Sequence, residues 1–189
     1  MSERLRSYGE LSGVEIFRYE GRDGGSGVIF AAEGMLITAR HVVDERTTDL
    51  PGFEFLPEYD PREIDIAVER DPNIWGPKLG YIDKLSVPNC YCITPSVEVP
   101  EMLVRVAGSL KPFYEPTLLS RFVPEDESNY ALFVGGTSGS PIMCQGKIIG
   151  LIKGSRPDKG IVVGVCFNQA DLRAILTEFL GLSFEKIEP

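Results

Sequence analysis

The segment Gly136-Thr137-Ser138-Gly139-Ser140-Pro141 decides how the rest of the chain is interpreted. It places a serine among glycines and a small residue, after one apolar run and before another, which predicts a sharp and exposed backbone turn. Acyl transfer needs such a turn, because the serine oxygen must reach a carbonyl while backbone N–H groups point at the developing oxyanion. Turns of Gly, Ser and Thr are also common in ordinary loops, so the segment alone does not establish a nucleophile.

A histidine is the usual general base near neutral pH, and the chain has only one, His41. It closes the apolar run 36–39 and precedes two valines. If the protein uses a base of this kind, His41 is therefore the single candidate. The alternative interpretation is a histidine at a strand end whose ring is satisfied by backbone groups.

An acidic residue, Asp65, interrupts the apolar run 64–68. Aspartate is depleted in strands and is rarely buried without a partner. A buried carboxylate that holds an imidazole in one tautomer compensates this cost. Asp60 and Glu63 are nearby alternatives, but they belong to the more polar stretch PEYDPRE, which is typical of a solvated loop.

Short apolar runs separated by Gly, Pro and Asp occupy most of the chain and predict strands. The candidates are residues 14–19, 27–31, 35–39, 52–56, 64–69, 102–107, 117–123, 130–134, 141–144, 147–153 and 161–167. Ala32-Glu33-Gly34 predicts a hairpin, the stretch 71–100 predicts an irregular crossing, and Asn168 predicts the cap of one amphipathic helix. Many short strands without intervening helices indicate an all-β fold of antiparallel barrels or a sandwich.

The composition of the chain limits its expected binding partners and its expected cellular compartment. The formal net charge of −9 argues against nucleic acid, because affinity for phosphates depends on Lys and Arg displacing counterions. No run reaches the roughly 18 apolar residues that span a bilayer, and MSERLRSYGE lacks an apolar export core, so we expect a cytoplasmic location and no membrane partner. The four cysteines are then expected as free thiols, with no metal and no cofactor.

Three strings in the order LITARHVV, DIAV and GTSGSPI, with GSGVIF before them and IIGLIKGS after them, resemble the trypsin/chymotrypsin-like serine protease superfamily. The resemblance is strongest to its compact HtrA-like and viral-like members, and the order His, Asp, Ser matches that fold. It implies two six-stranded antiparallel β-barrels and a C-terminal α-helix. The implied parts are an N-terminal segment 1–13, a first barrel 14–85 with His41 and Asp65, a connector and second barrel 86–167 with Ser138, and a helix and tail 168–189.

The resemblance also implies an activity, that of a serine endopeptidase working through a Ser-His-Asp triad and a covalent acyl-enzyme. His41 would take the proton of Ser138, Asp65 would stabilise the imidazolium, and the N–H groups of Gly136 and Ser138 would form the oxyanion hole. The usual aspartate before the nucleophile is Thr137 here, so activation through a newly cut N-terminus that pairs with that aspartate is not expected.

The family's layout further implies a substrate pocket. Its predicted residues are Leu132, Phe133, Leu151, Ile152, Gly154 and Gly164. Because no acid stands at the pocket base, a small or medium apolar P1 residue is expected in a protein or peptide substrate. A regulatory partner is a further expectation, since an unrestrained endopeptidase in the cytosol is dangerous.

Two other interpretations compete with the protease. The first is a catalytically silent homologue that binds an extended peptide by strand addition. The second, more distant, is an unrelated β-sandwich in which the three motifs coincide by chance. The distance between His41 and Ser138 in the folded protein discriminates this last interpretation from the others.

Overall fold

A computed structural model describes residues 5–20, 26–43, 52–56, 64–96, 98–99, 102–114 and 117–188. Its strands are β1 Leu5–Leu11, β2 Val14–Glu20, β3 Ser26–Ala32, β4 Met35–Thr38, β5 Ala67–Arg70, β6 Gly80–Tyr81, β7 Val87–Pro95, β8 Leu103–Pro112, β9 Ser120–Pro124, β10 Pro141–Cys144, β11 Lys147–Arg156, β12 Ile161–Cys166 and β13 Glu185–Lys186. Its helices are α1 Arg40–Val43 and α2 Ala170–Leu180, and 3₁₀ turns cover Glu127–Leu132 and Pro157–Lys159. In these described ranges, no helix is long and apolar enough to cross a membrane.

The first lobe is a five-stranded antiparallel sheet in the order β1-β2-β3-β4-β5. Strand β3 is buried almost throughout because it carries small or apolar residues on both faces, as expected of a central strand with both faces covered. The predicted hairpin is confirmed: Ala32 pairs with Met35, and Gly34 adopts a φ of 71° that favours glycine. The segment before residue 14 contributes β1 to this sheet.

The second lobe is a closed six-stranded barrel in the order β10-β11-β12-β9-β8-β7. The barrel closes where Ile142 of β10 pairs with Cys92 of β7. Its interior is apolar, and the fully buried side chains include Leu110, Phe122, Ile142, Ile152 and Cys166. The all-β prediction is therefore confirmed with one closed barrel, while closure of the first lobe into a second barrel stays a prediction.

Two predicted strands of the sequence analysis have other structures. Residues 130–134 were expected to be extended, but Glu127–Leu132 form a 3₁₀ turn that Asp126 caps by accepting from the Ser128 N–H at 2.9 Å. Residues 52–56 form only an isolated bridge, between Glu54 and Val68. A local turn in the first segment and a single bridge in the second replace the longer strand pairing that the apolar runs predicted.

Two further predictions were wrong about boundaries. The stretch 71–100 was expected to be irregular, yet it contains the nine-residue strand β7. The prolines that suggested irregularity, Pro88 and Pro95, lie at or near the ends of this strand, where they interrupt few ladder bonds. Asn168 was expected to cap α2, but its amide donates to the Lys84 and Leu85 carbonyls, and Gln169 precedes the helix.

One hydrophobic core crosses from lobe to lobe. It joins Val28 and Ile29 of β3 to Leu151 of β11, and Leu172 and Leu176 of α2 pack into it. The apolar face of α2 therefore covers the sheets, as the spacing of its leucines predicted. Continuous packing of this kind holds the loops between the two lobes in fixed positions.

All four cysteines are free thiols that lie buried in the second lobe. Burial raises the pKa of Cys90 to about 12 and raises the pKa values of Cys92, Cys144 and Cys166. Because the thiolate is the reactive form, the folded protein should hold these thiols in an unreactive state.

We predict that the native protein does not react stoichiometrically with a disulfide reagent such as dithionitrobenzoate at pH 8. A thiol with a pKa of about 12 is ionised in only about 10⁻⁴ of molecules at that pH. The same protein in guanidinium chloride should release chromophore from all 4 cysteines. Rapid labelling of the native chain at pH 8 would contradict the barrel packing described above.

Candidate active site

His41 and Asp65 are in direct contact, although 24 residues separate them. The imidazole Nδ1 lies 2.5 Å from Oδ2 of Asp65, and the backbone N–H of His41 donates to Oδ1 at 2.9 Å. The carboxylate is 1% exposed, whereas the imidazole is 50% exposed. Asp65 therefore contacts both the ring and the backbone N–H of a half-exposed histidine.

The short helix α1 sets the direction of the imidazole. Val42 and Val43 are buried in the interlobe core, whereas the neighbouring His41 is exposed. Arg40 ties the start of the helix to residues 55–56, because Nη1 donates to the Leu56 carbonyl at 3.1 Å and the guanidinium lies 4.5 Å from the centre of the Phe55 ring.

Ser138 lies on a loop that backbone bonds attach to both lobes. The Val28 N–H of β3 donates to the Ser138 carbonyl at 2.8 Å, and the Gly139 N–H donates to the Ile152 carbonyl of β11 at 2.7 Å. The Ser138 hydroxyl donates to the Lys153 carbonyl at 3.0 Å. Across the described part of the chain, no hydrogen bond joins that hydroxyl to His41.

Lys153 connects the three predicted residues. Its carbonyl accepts from Ser138, and its Nζ lies 3.5 Å from Oδ2 of Asp65, the oxygen that also contacts His41. This lysine belongs to the string IIGLIKGS, but no role was predicted for it from the sequence. Its signal was a lysine inside an apolar strand, since lysine is almost never buried without a partner.

Bonded and unbonded backbone N–H groups alternate along residues 136–139. The N–H groups of Thr137 and Gly139 are bonded to carbonyls, whereas no backbone carbonyl among the described residues accepts from Gly136 or Ser138. Gly136 and Gly139 have φ values of 97° and 94°, in the region that favours glycine. The arrangement leaves the Gly136 and Ser138 N–H groups available as donors, and their service as an oxyanion hole stays a prediction.

The predicted pocket residues differ in accessibility. Four of them are buried, namely Phe133, Leu151, Ile152 and Gly164. Leu132 is half-buried on the 3₁₀ turn, and a Cβ added at Gly154 would meet no atom within 4 Å, so this glycine faces open space. Contact of these residues with a substrate stays a prediction. Within the described residues, no group of three or more His, Cys, Asp or Glu side chains could hold a metal ion.

The fold of this chain matches solved structures of other proteins, although its sequence matches none of the families or curated proteins. No family model matches the chain, and no curated protein matches its sequence. An inactivated protease paralogue of the scabies mite, SMIPP-S-D1, matches with a TM-score of 0.64 at 11% identity over 95% of this chain and 97% of its own. The active form of the Rv3671c protease of M. tuberculosis matches with a TM-score of 0.59 at 13% identity, over 94% and 84% of the two chains.

A serine protease of a human pathogenic astrovirus also matches, with a TM-score of 0.54 at 14% identity over 88% of this chain and 95% of its own. The chain has the trypsin/chymotrypsin-like fold. Because one of its structural relatives is an inactivated paralogue, the trypsin-like fold by itself does not decide whether a chain is catalytic. That decision belongs to the residues at the site.

We predict that Gly139→Ala destabilises this trypsin-like chain by about 3 kcal/mol, a fall in Tm of about 10 °C. The new Cβ would lie 2.0 Å from the Val28 carbonyl oxygen and 2.8 Å from Thr38 Oγ1, and the φ of 94° is itself unfavourable for alanine. Thermal unfolding followed by circular dichroism measures the change.

Gly135→Ala is the matched control in the same loop, because a Cβ there meets nothing within 4 Å. Its Tm should stay within about 2 °C of wild type, as for surface substitutions in general. Equal melting temperatures for the two variants would mean that the loop does not approach β3 as closely as described.

Proposed function

We propose that this chain is a serine endopeptidase with Ser138 as nucleophile, His41 as general base and Asp65 as the residue that orients the imidazole. The contact that carries the proposal is the 2.5 Å approach of His41 Nδ1 to Oδ2 of the buried Asp65. A carboxylate on Nδ1 selects the tautomer whose Nε2 is free to accept a proton. Within the proposal, the half-exposed imidazole offers that nitrogen to Ser138 and the substrate.

The proposed reaction has two halves. Ser138 Oγ attacks the scissile carbonyl carbon while its proton passes to His41 Nε2, and the imidazolium returns that proton to the leaving amine as the C–N bond breaks. Water then adds to the acyl-enzyme, His41 takes its proton, and the proton returns to Ser138 Oγ as the acid leaves. The N–H groups of Gly136 and Ser138 would donate to the oxyanion in both halves.

The proposal requires one movement. The Ser138 hydroxyl donates to the Lys153 carbonyl and must turn toward His41 for the proposed reaction. Rotation about χ1 moves a serine oxygen between staggered positions without moving the backbone. Catalytic hydrogen bonds are often formed only in the substrate complex, so the resting arrangement is compatible with activity.

The proposed substrate is an extended peptide that adds to β11 as a strand. Strand β10 pairs with β11 only as far as Leu151, whereas β12 pairs with it as far as Arg156. Beyond Ser138, one edge of β11 therefore lacks a strand neighbour, and Gly154 presents no side chain there. Such an edge can accept main-chain hydrogen bonds from a peptide. Within the proposal, the P1 residue is small or medium and apolar.

A catalytically silent peptide-binding module is the second candidate. The observation that favours it is the bond from the Ser138 hydroxyl to the Lys153 carbonyl, because a nucleophile held there does not contact its base. It would use the same free edge of β11 without hydrolysing the bound peptide.

We predict that a fluorophosphonate probe labels the wild-type protein once, on Ser138, and that Ser138→Ala abolishes the label. An activated serine forms a stable adduct with such a reagent, whereas an ordinary hydroxyl does not. Intact-protein mass spectrometry measures the adduct, and Ser128→Ala, at an exposed serine of the 3₁₀ turn, should label like wild type. Absence of labelling in folded wild-type protein would favour the silent module.

We further predict that Asp65→Asn lowers kcat on an unstructured protein substrate by about 10⁴, because the amide stabilises the wrong tautomer of His41. Asp171→Asn, at an exposed aspartate at the start of α2, should retain wild-type turnover. Near-normal turnover by Asp65→Asn would show that this carboxylate does not orient the base.

A further inference from the structure

Lys153 touches two members of the proposed triad, each by a different group. Its carbonyl accepts from the Ser138 hydroxyl at 3.0 Å, and its Nζ lies 3.5 Å from Oδ2 of Asp65. The lysine side chain is 20% exposed and the carboxylate 1% exposed, so the ion pair is largely shielded from water. A shielded pair is weakened much less by salt than a surface pair.

Oδ2 of Asp65 therefore has two competing partners. His41 Nδ1 approaches it to 2.5 Å and the Lys153 ammonium to 3.5 Å, whereas Oδ1 accepts the His41 backbone N–H. While His41 is neutral, one carboxylate balances one ammonium. When His41 takes a proton, two cations share a single anion, and each disfavours the charge of the other.

The described charged partners of Asp65 come from two elements. From the elements packed against Asp65, the charged side chains in contact with it among the described residues are His41 of α1 and Lys153 of β11. Arg40 precedes His41, but its Nη1 donates to the Leu56 carbonyl and its guanidinium stacks on Phe55.

We propose that Lys153 is a positioning residue that keeps His41 neutral and ready to accept a proton, by sharing the negative charge of Asp65. The proposal rests on the proposed function in that it assigns His41 the role of base. The Lys153 side chain acts through Asp65, because its Nζ contacts that carboxylate, whereas the contact with Ser138 is made by the backbone carbonyl.

The single histidine of the chain makes the test direct. In protein labelled with ¹⁵N-histidine, the imidazole nitrogens of His41 give one set of NMR signals, whose titration reports its protonation without any turnover. In Lys153→Met the competing cation is gone, so Asp65 stabilises the imidazolium more strongly. The titration midpoint should move to higher pH than in wild type, by about 1 pH unit.

Three further variants separate charge from packing. Lys153→Arg restores a cation and should titrate like wild type, whereas Lys153→Gln keeps a hydrogen-bond donor without charge and should move as Lys153→Met does. Lys153→Gln also provides the measurement if the methionine variant fails to fold. Lys147→Met removes the same charge at the start of β11, about 20 Å along the strand, and should leave the midpoint unchanged.

An unchanged midpoint in folded Lys153→Met or Lys153→Gln would overturn the proposal, as would an equal shift in Lys147→Met. The result is independent of peptidase activity. A shifted midpoint in a protein that hydrolyses no peptide would retain the role of Lys153 and refute the endopeptidase. Turnover of peptide with an unshifted midpoint would support the endopeptidase and overturn the proposed role of Lys153. In an active protein, the acid limb of the kcat/KM profile should move in the same direction as the NMR midpoint.

Discussion

The buried carboxylate of Asp65 is the constraint around which the site is organised. An ionised carboxylate removed from water is stable only where donors and cations surround it. Here those groups come from α1, which supplies the ring and backbone N–H of His41, and from β11, which supplies the ammonium of Lys153. Satisfying one charge therefore draws His41 toward the strand that runs beside Ser138, and joins the first lobe to the second.

The site also depends on close packing between strand β3 and the loop that carries Ser138. Gly27 of β3 lies between the Val42 side chain and the Ser138 carbonyl, where a Cβ would come within 2.4 Å of Val42 and 3.1 Å of that oxygen. Glycine at this point, and at position 139, lets the loop that carries Ser138 pack directly on β3. The loop is thus held by main-chain contacts that do not involve the Ser138 hydroxyl.

The sequence predicted the features that depend on local pattern. The hairpin at Gly34, the apolar face of α2, and the pairing of the lone histidine with a buried aspartate follow from glycine chemistry, helical spacing and the cost of an unpaired charge. The strand predicted over 64–69 begins only at Ala67, so Asp65 lies just before β5 and not within it. Strand β7 was missed because its prolines resemble loop residues until the barrel places them near the strand ends. Lys153 was missed because its partner Asp65 is 88 residues away, beyond any local signal.

If Ser138 and His41 act together on one peptide bond, a crystal structure of the protein treated with a peptide phosphonate tests this most directly. The account predicts a covalent bond from Ser138 Oγ to phosphorus, His41 Nε2 within hydrogen-bonding distance of the adduct, and a phosphoryl oxygen that accepts from the Gly136 and Ser138 N–H groups. An unmodified Ser138 that still donates to the Lys153 carbonyl, with the peptide lying along β11, would contradict it.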